Sequence, residues 1–234
     1  MQIIPVKALA DNYIWLIEQA KKVVIVDPGE GQPVLDFLAD HPDFKPVAIL
    51  LTHKHSDHVD GVEMLKANYP GLVVYGPGET SHLNNHTLAE GDHFELADLD
   101  FQVYLTAGHT EGHISYLQGD HLFCGDALFL AGCGRVFTGD YQSAYEGIQK
   151  LKKLPDKVKV YAGHEYSLTN LKFAKDVEPD NMAVAGKRAE LEQKLSQDKP
   201  SLPSTIGEEH AYNPFFHAGS VDAFKSLRDK RDQY

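Results

Sequence analysis

The most informative stretch of this sequence is Thr52-His53-Lys54-His55-Ser56-Asp57-His58. They follow an apolar run, residues 47–51, whose composition predicts a buried strand. If the chain stays extended beyond that strand, His53 and His55 project to the same side, because strand side chains repeat every two residues. Two imidazoles on one side are able to share one cation. The first half of the motif therefore predicts a metal site.

The second half of the motif, Asp57 and His58, leads into a predicted helix over residues 59–67. Where the chain turns toward that helix, these two side chains point at a neighbouring position instead of competing for the first cation. A carboxylate and an imidazole are both ordinary metal ligands. The complete H-x-H-x-D-H spacing therefore predicts that two metal ions lie next to each other.

Three further ligand candidates, His109, Asp126 and His164, each follow a glycine at the end of an apolar run. The small preceding residue lets the backbone approach a crowded centre. A carboxylate can bridge two cations, and Asp126 is the candidate for that position. Nitrogen and oxygen ligands without a thiolate suit zinc, iron or manganese, and they do not choose among these metals.

Two residues near these candidates are considered for a supporting role. His113 closes the segment His109-Thr110-Glu111-Gly112-His113 and is a candidate to orient a ligand from behind. Asp27 ends a predicted strand over residues 23–26, and it is either an orienting group of the same kind or part of a turn. The other histidines have no such context and are assigned to the surface or to hydrogen-bonded core positions: His41, His82, His86, His93, His121, His210 and His217.

Strand and helix signals alternate up to about residue 165. We predict strands over residues 23–26, 47–51, 101–105 and 158–161, and helices over 33–40, 59–67 and 143–154. After His164 the pattern becomes helical, over residues 168–177, 182–195 and 221–230, and no strand signal returns. The sequence thus predicts one layered domain of mixed strands and helices, followed by a helical segment that packs on it as a lid or wall.

Charge and composition exclude several classes of protein. The chain has 22 Lys and Arg against 34 Asp and Glu, a formal net charge of −12, which argues against a nucleic-acid partner. No run of 18 apolar residues and no signal-peptide pattern is found, so we expect a cytoplasmic protein without a membrane partner. Cys124 and Cys133 are too few and too poorly spaced for a disulfide scaffold, and we expect buried, reduced thiols.

On these motifs the chain resembles the metallo-β-lactamase superfamily and, within it, the glyoxalase II (hydroxyacylglutathione hydrolase) family. The similarity runs from Asp11-Asn12-Tyr13 to Asp232-Gln233-Tyr234 and covers essentially the whole chain. The resemblance implies an α+β fold, an αββα sandwich with a small C-terminal helical domain. It also implies a catalytic domain over residues 1–165 and a substrate-binding domain over residues 166–234.

The same resemblance implies how the metals are held. It places His53, His55 and His109 on one ion, it places Asp57, His58 and His164 on the other, and it makes Asp126 the bridge. Asp57 and Asp126 are then the catalytic carboxylates, and a hydroxide that bridges the metals is the nucleophile. Two divalent transition metals per chain are implied, with zinc first and iron or manganese as the other candidates.

The substrate implied by the resemblance is S-D-lactoylglutathione or a related 2-hydroxyacylglutathione, cleaved to the hydroxy acid (D-lactate) and glutathione in methylglyoxal detoxification. The residues implied to line its pocket are Arg135, Phe137, Tyr166, Arg228 and Arg231. Arg228 and Arg231 are three residues apart and so share one helix face. Arg135 and Phe137 stand where animal members have Lys and Tyr, which keeps a cation and loses a hydroxyl. We expect a monomer.

Other functions are also considered. The strongest enzymatic alternative is a mononuclear iron dioxygenase that acts on glutathione persulfide, and oxygen uptake would distinguish it. A lactonase or β-lactamase is less favoured, because the arginine-rich C-terminal segment would have no anionic tripeptide to bind. A metal-stabilised interaction module would show a higher melting temperature with metal and no thioester turnover.

Overall fold

The computed structural model describes residues 1–197 and 199–234 and divides into two compact units. The first unit comprises Met1–Leu105 and Gly112–Gly119, and the second comprises Thr106–Glu111 and Asp120–Tyr234. The predicted division at residue 165 is a different boundary, drawn on composition and on the family resemblance. It stays a prediction.

A six-stranded sheet forms the body of the first unit, with its strands in sequence order. The first three strands pair antiparallel and the remaining neighbours pair parallel. Strand β3 has the sequence Lys-Val-Val-Ile-Val and lies in the middle of the sheet, where a run of β-branched residues is favoured. The strands are β1 (Gln2–Ala8), β2 (Asn12–Gln19), β3 (Lys22–Val26), β4 (Lys45–Leu50), β5 (Val73–Pro77) and β6 (His86–Leu88).

Three helices of the first unit connect these strands: α1 (Gln32–Asp40), α2 (Ser56–Val59) and α3 (Val62–Asn68). Helix α1 has Pro33 in its first turn, where the missing N–H costs nothing. Its Val34 and Leu38 join Val62 and Leu65 of α3 in a buried core against the sheet. Three more strands of this unit pair antiparallel in sequence order: β7 (His93–Leu96), β8 (Leu99–Leu105) and β9 (Ile114–Gln118).

The second unit contains several strands and most of the helices. Strand β10 (His121–Gly125) is parallel to β13 (Lys159–Ala162), which is antiparallel to β14 (Ser204–Thr205). A tight hairpin, β11 (Leu128–Phe129) and β12 (Gly132–Cys133), follows β10. The helices are α4 (Tyr141–Lys152), α5 (Ser167–Val177), α6 (Met182–Leu195), α7 (Ile206–Tyr212), α8 (Pro214–His217) and α9 (Val221–Arg231).

The predicted strands and most predicted helices are confirmed within a few residues. The helix predicted over residues 59–67 is wrong in detail, because it is divided into α2 and α3. Gly61 lies at the break, where its N–H donates to the Pro28 carbonyl at 2.8 Å. The absence of strands after His164 is also wrong, because β14 adds two residues to the sheet. Helices α7 and α8 lie between the helices predicted over residues 182–195 and 221–230, in a stretch where no helix was predicted.

The described residues include no helix that is both long and apolar enough to cross a membrane. Both cysteines are buried and carry free thiols, as predicted.

The backbone at Gly29 packs tightly against the backbone of Asp57, so a side chain at position 29 should destabilise the fold. A Cβ atom at Gly29 would lie 1.8 Å from the Asp57 carbonyl oxygen, whereas one at Gly71 would meet nothing within 4 Å. We expect Gly29→Ala to lower the free energy of unfolding by about 2 to 3 kcal/mol, because backbone atoms must shift to admit the methyl group. Gly71→Ala is the matched control, with an expected change within about 0.5 kcal/mol. Urea unfolding followed by circular dichroism measures both, and equal midpoints would contradict the prediction.

Candidate active site

The Asp27 carboxylate organises the ligand-bearing loop of the first unit. Asp27 directly follows β3 in a left-handed conformation, with φ at 50°, and is only 4% exposed. Its Oδ1 accepts the backbone N–H of Thr52 at 2.7 Å. Its Oδ2 accepts the Thr52 hydroxyl at 2.6 Å and Nδ1 of His58 at 3.0 Å. Asp27 therefore orients a ligand candidate, which is the first of the two roles considered for it.

The Thr52 hydroxyl also orients the ring of His53. Because that hydroxyl donates to Asp27, it must accept the hydrogen bond from Nδ1 of His53, 3.0 Å away. Nε2 of the fully buried His53 ring then carries no proton, so its lone pair is able to bind a metal. That atom lies 3.1 Å from Nδ1 of His55. Two nitrogen ligands of one tetrahedral zinc ion lie about 3.3 Å apart, so this pair fits a shared metal.

Asp57 and His58 form the next pair along the loop. Asp57 Oδ2 lies 3.6 Å from Nε2 of His58, whose other ring nitrogen is held by Asp27. The Asn12 amide donates to Asp57 Oδ2 at 3.2 Å and to the Asp57 carbonyl at 3.1 Å. One carboxylate oxygen and one imidazole nitrogen are thereby presented side by side. Both groups predicted for the second metal from this motif are brought together.

Glu79 and His113 support the same loop from behind. Glu79, with a side chain 10% exposed, accepts the N–H of Lys54 on one oxygen and the N–H of Gly112 on the other, at 3.1 and 2.9 Å. His113 is fully buried, and its ring centroid lies 4.9 Å from that of His53. The sequence did not predict a role for Glu79, because nothing in its local sequence distinguishes it from a surface glutamate.

In the second unit, Asp126 lies between two histidines. Its Oδ2 is 3.3 Å from Nε2 of His109 and 3.4 Å from Nε2 of His164, and all three side chains are buried. Nδ1 of His109 donates to the Arg135 carbonyl at 2.9 Å, which leaves Nε2 to face the carboxylate. Gly134 permits this crowding, because a Cβ there would lie 1.9 Å from the Asp126 carbonyl oxygen. The buried carboxylate of Asp126 thus faces two imidazole nitrogens at once.

A cavity of about 230 Å³ opens in the second unit, and we call it the arginine cavity. Four of the five predicted substrate residues line it, and Phe137 does not. Phe137 is 62% exposed instead, with its ring centroid 5.3 Å from that of His109. The lining residues are Phe129, Cys133, Arg135, Tyr166, Asn170, Arg228, Arg231, Asp232 and Tyr234.

The two helical arginines line the same cavity, but their surroundings differ. Arg228 is 4% exposed, and its guanidinium donates to Asp232 Oδ1 at 2.8 and 3.1 Å and to the Cys133 carbonyl at 2.5 Å. Arg231 is partly exposed and donates from Nε to Asn170 Oδ1 at 3.0 Å. Arg228 therefore has a structural task in addition to any contact with a ligand. Asn170 was not predicted as a site residue.

Comparisons with known proteins agree with this geometry. The model of the metallo-beta-lactamase superfamily matches residues 10–164, and the model of the hydroxyacylglutathione hydrolase C-terminus matches residues 165–234. The hydroxyacylglutathione hydrolase of Glaesserella parasuis serovar 5 is 49% identical over 100% of both chains. The chain belongs to the hydroxyacylglutathione hydrolase family. The family predicted from the sequence is thereby confirmed.

Solved structures extend the family comparison to the fold. ETHE1 from Myxococcus xanthus is 26% identical, with a TM-score of 0.75, covering 98% of this chain and 90% of that one. TTHA1623, solved in a di-iron-bound form, is 25% identical, with a TM-score of 0.64, covering 92% of this chain and all of that one. The α+β prediction is confirmed: this member of the hydroxyacylglutathione hydrolase family has the metallo-β-lactamase fold with a helical C-terminal segment.

Divalent-metal binding, the coarser part of the cofactor prediction, is confirmed by this family membership and by the clustered donors. In the first unit, ligand atoms of Asp27, His53 and His58 lie within 4.8 Å of one another. Asp27 already accepts three hydrogen bonds, two from Thr52 and one from His58, and so it orients the residues around it. Imidazole nitrogens and carboxylate oxygens are donors that fit zinc, iron and manganese.

Removing the Thr52 hydroxyl tests whether the hydrogen bonds from Asp27 through Thr52 to His53 orient that histidine. Thr52→Val keeps the branched shape but removes the group that joins Asp27 to His53, so we expect metal affinity to fall about 10- to 100-fold. Thr87→Val, on exposed β6, is the matched control and should leave affinity unchanged. Competition with a chromophoric chelator measures both variants. Equal affinities for Thr52→Val and the wild type would show that the hydroxyl does not matter.

Proposed function

We propose that this chain is a hydroxyacylglutathione hydrolase that cleaves S-D-lactoylglutathione and related thioesters to D-lactate and glutathione, in methylglyoxal detoxification. One observation carries the proposal: the second unit has a cavity lined by Arg135, Arg228 and Arg231 in addition to its Asp126–histidine cluster. Glutathione is a tripeptide with two carboxylates. Guanidinium groups bind carboxylates with paired, charge-assisted hydrogen bonds.

The proposal includes two divalent ions per chain, with zinc the first candidate. We assign His53, His55 and His109 to one ion, Asp57, His58 and His164 to the other, and Asp126 to both. The presentation of His53 with His55, and of Asp57 with His58, supports this assignment. When bound, such ions lower the pKa of water and polarise a thioester carbonyl.

The catalytic carboxylates of the proposal are Asp57 and Asp126. The Asn12 amide donates to Asp57 Oδ2, and Asp126 Oδ2 faces Nε2 of both His109 and His164, so both oxygens are placed to help hold the ions that would activate the attacking water. In the reaction, water oxygen forms a bond to the acyl carbon and the carbon–sulfur bond breaks. The glutathione thiolate is a stable leaving group, so no side-chain acid is needed to protonate it during cleavage.

Arg135, Arg231 and Tyr166 are proposed to hold the tripeptide. Arg135 is exposed, with its guanidinium 5.4 Å from the centre of the Phe137 ring, so it is able to reach a ligand at the mouth of the arginine cavity. Tyr166 stacks on His164 with ring centroids 4.7 Å apart, which joins the cavity lining to a metal-ligand candidate. Phe137 is proposed to contact the substrate from outside the lining. Arg228 is proposed to shape the cavity and add positive charge.

We propose a monomer that acts in the cytoplasm, with residues 1–165 as the catalytic domain and residues 166–234 as the substrate-binding domain. The match of the hydroxyacylglutathione hydrolase C-terminus model to residues 165–234 supports that division.

The proposed activity is tested by incubating the protein with S-D-lactoylglutathione and following the loss of thioester absorbance, the appearance of free thiol and the metal content. We expect catalytic turnover with equal release of D-lactate and glutathione. Oxygen uptake with glutathione persulfide, without thioester turnover, would favour the dioxygenase instead.

Asp126→Asn tests the proposed bridge. A neutral amide bridges two cations poorly, so we expect this variant to lose metal from both positions and at least about 100-fold in kcat. His164→Ala should empty only the position assigned to Asp57 and His58, and it serves as the comparison. Elemental analysis after gel filtration measures the metal. Two metal equivalents in Asp126→Asn would count against the bridge.

Arg231→Ala tests the substrate site. Losing a charged hydrogen bond should cost about 1.5 to 3 kcal/mol, or about 10- to 150-fold in kcat/KM for S-D-lactoylglutathione, through KM. A lactoyl thioester of N-acetylcysteamine, which lacks the tripeptide, should be unaffected. Arg188→Ala on α6, where Arg188 pairs with Glu192 at the surface, is the matched control. If both substrates suffer equally, Arg231 does not bind the tripeptide.

A further inference from the structure

We propose that Glu209 is a positioning residue that holds the β11–β12 hairpin as a wall of the arginine cavity and thereby sets affinity for the tripeptide. Glu209 is not among the residues that line the cavity, so it acts through the hairpin. The inference rests on the proposed function, because the ligand of that cavity is taken to be glutathione.

The surroundings of Glu209 show why it is able to hold other groups in place. Its side chain is fully buried and receives hydrogen bonds on both carboxylate oxygens. Oε1 accepts the hydroxyls of Ser204 at 2.5 Å and Tyr212 at 3.2 Å. Oε2 accepts the N–H of Ala131 at 2.9 Å and the Asn213 amide at 2.8 Å. Burial raises the pKa of Glu209 to about 7, and the hydrogen bonds oppose that rise.

The Ala131 contact fixes the turn of the hairpin. Ala131 lies between the two strands with φ at 53°, a left-handed conformation that costs a non-glycine residue energy. Such a conformation persists only where its surroundings hold it. The Glu209 carboxylate captures the N–H of this residue, and the Asn213 amide also donates to the carbonyls of Phe129 and Gly132, at 3.4 and 3.1 Å.

The hairpin in turn forms part of the cavity. Phe129 and Cys133 belong to it and line the cavity, and Arg135 follows two residues after β12. Asn170 and Arg228 bind further hairpin carbonyls from α5 and α9. A hairpin released by Glu209 would move this wall and displace Arg135 from the tripeptide. The Arg135 carbonyl also accepts a hydrogen bond from Nδ1 of His109, so a smaller effect on the metal end of the site follows.

The test compares Glu209→Gln with the wild type. The amide NH2 of glutamine cannot accept the hydrogen bonds that one carboxylate oxygen accepts, while its volume is nearly the same. We expect KM for S-D-lactoylglutathione to rise about tenfold, with smaller effects on kcat and on the kinetics of lactoyl-N-acetylcysteamine. Hydrogen–deuterium exchange of residues 128–135 should become faster in the same variant.

Glu208→Ala is the matched control. Glu208 neighbours Glu209 on α7 and forms a capping box with Thr205, so its removal lowers stability without touching the hairpin. We expect a lower melting temperature, an unchanged KM and unchanged exchange in residues 128–135. If Glu209→Gln does not fold, Asn213→Ala keeps the carboxylate and is measured in the same way.

An unchanged KM in the Glu209 variant, or an equal loss on both thioesters, would overturn the proposal. A wild-type protein that hydrolyses neither thioester would overturn the proposed function alone. The exchange comparison still tests the hold of Glu209 on the hairpin in that case. Exchange that is equal in Glu209→Gln and Glu208→Ala would overturn that hold.

Discussion

A carboxylate is costly to bury unless hydrogen-bond donors replace the water that it loses, and this constraint governs Asp27. Its three donors come from Thr52 and His58, both of which belong to the ligand loop. Satisfying one buried charge therefore fixes where that loop leaves β4, and it orients the rings of His58 directly and of His53 through Thr52. The contacts of Asn12 to Asp57 and of Glu79 to the Lys54 N–H complete the support of the loop.

The second unit applies the same constraint to other groups. The buried carboxylate of Glu209 and the buried guanidinium of Arg228 are each compensated by several hydrogen bonds, and each bonds to the backbone of the β11–β12 hairpin. The hairpin has only two residues in each strand, too few to be stable alone. Side chains from the helical segment thus hold the hairpin in place, which its two short strands could not do alone. The same contacts fix the cavity wall that the hairpin forms.

Net charge and local charge have separate consequences in this chain. A formal charge of −12 disfavours binding to polyanions such as nucleic acids. The arginine cavity nevertheless gathers three guanidinium groups around a volume of about 230 Å³, with Asp232 as the one acidic residue in its lining. A small anion that fits the cavity meets a positive surface despite the overall sign. This local concentration of positive charge is what makes a tripeptide with two carboxylates a suitable ligand.

The sequence alone determined the family, the main strands and helices, and the metal-ligand candidates, because those rest on local spacing. His53 and His55 alternate as strand residues do, and His109, Asp126 and His164 each follow a glycine at the end of an apolar run. Only the tertiary structure decided that Asp27 orients His58, that Phe137 lies outside the cavity lining, and that Arg228 is buried on the Cys133 carbonyl. Arg228 and Cys133 are 95 residues apart, and Asp27 and His58 are 31 apart. Periodicity reports which face a residue occupies on its own helix or strand. It contains no information about which distant polar group arrives to satisfy a buried charge, and that pairing is settled only when the elements pack.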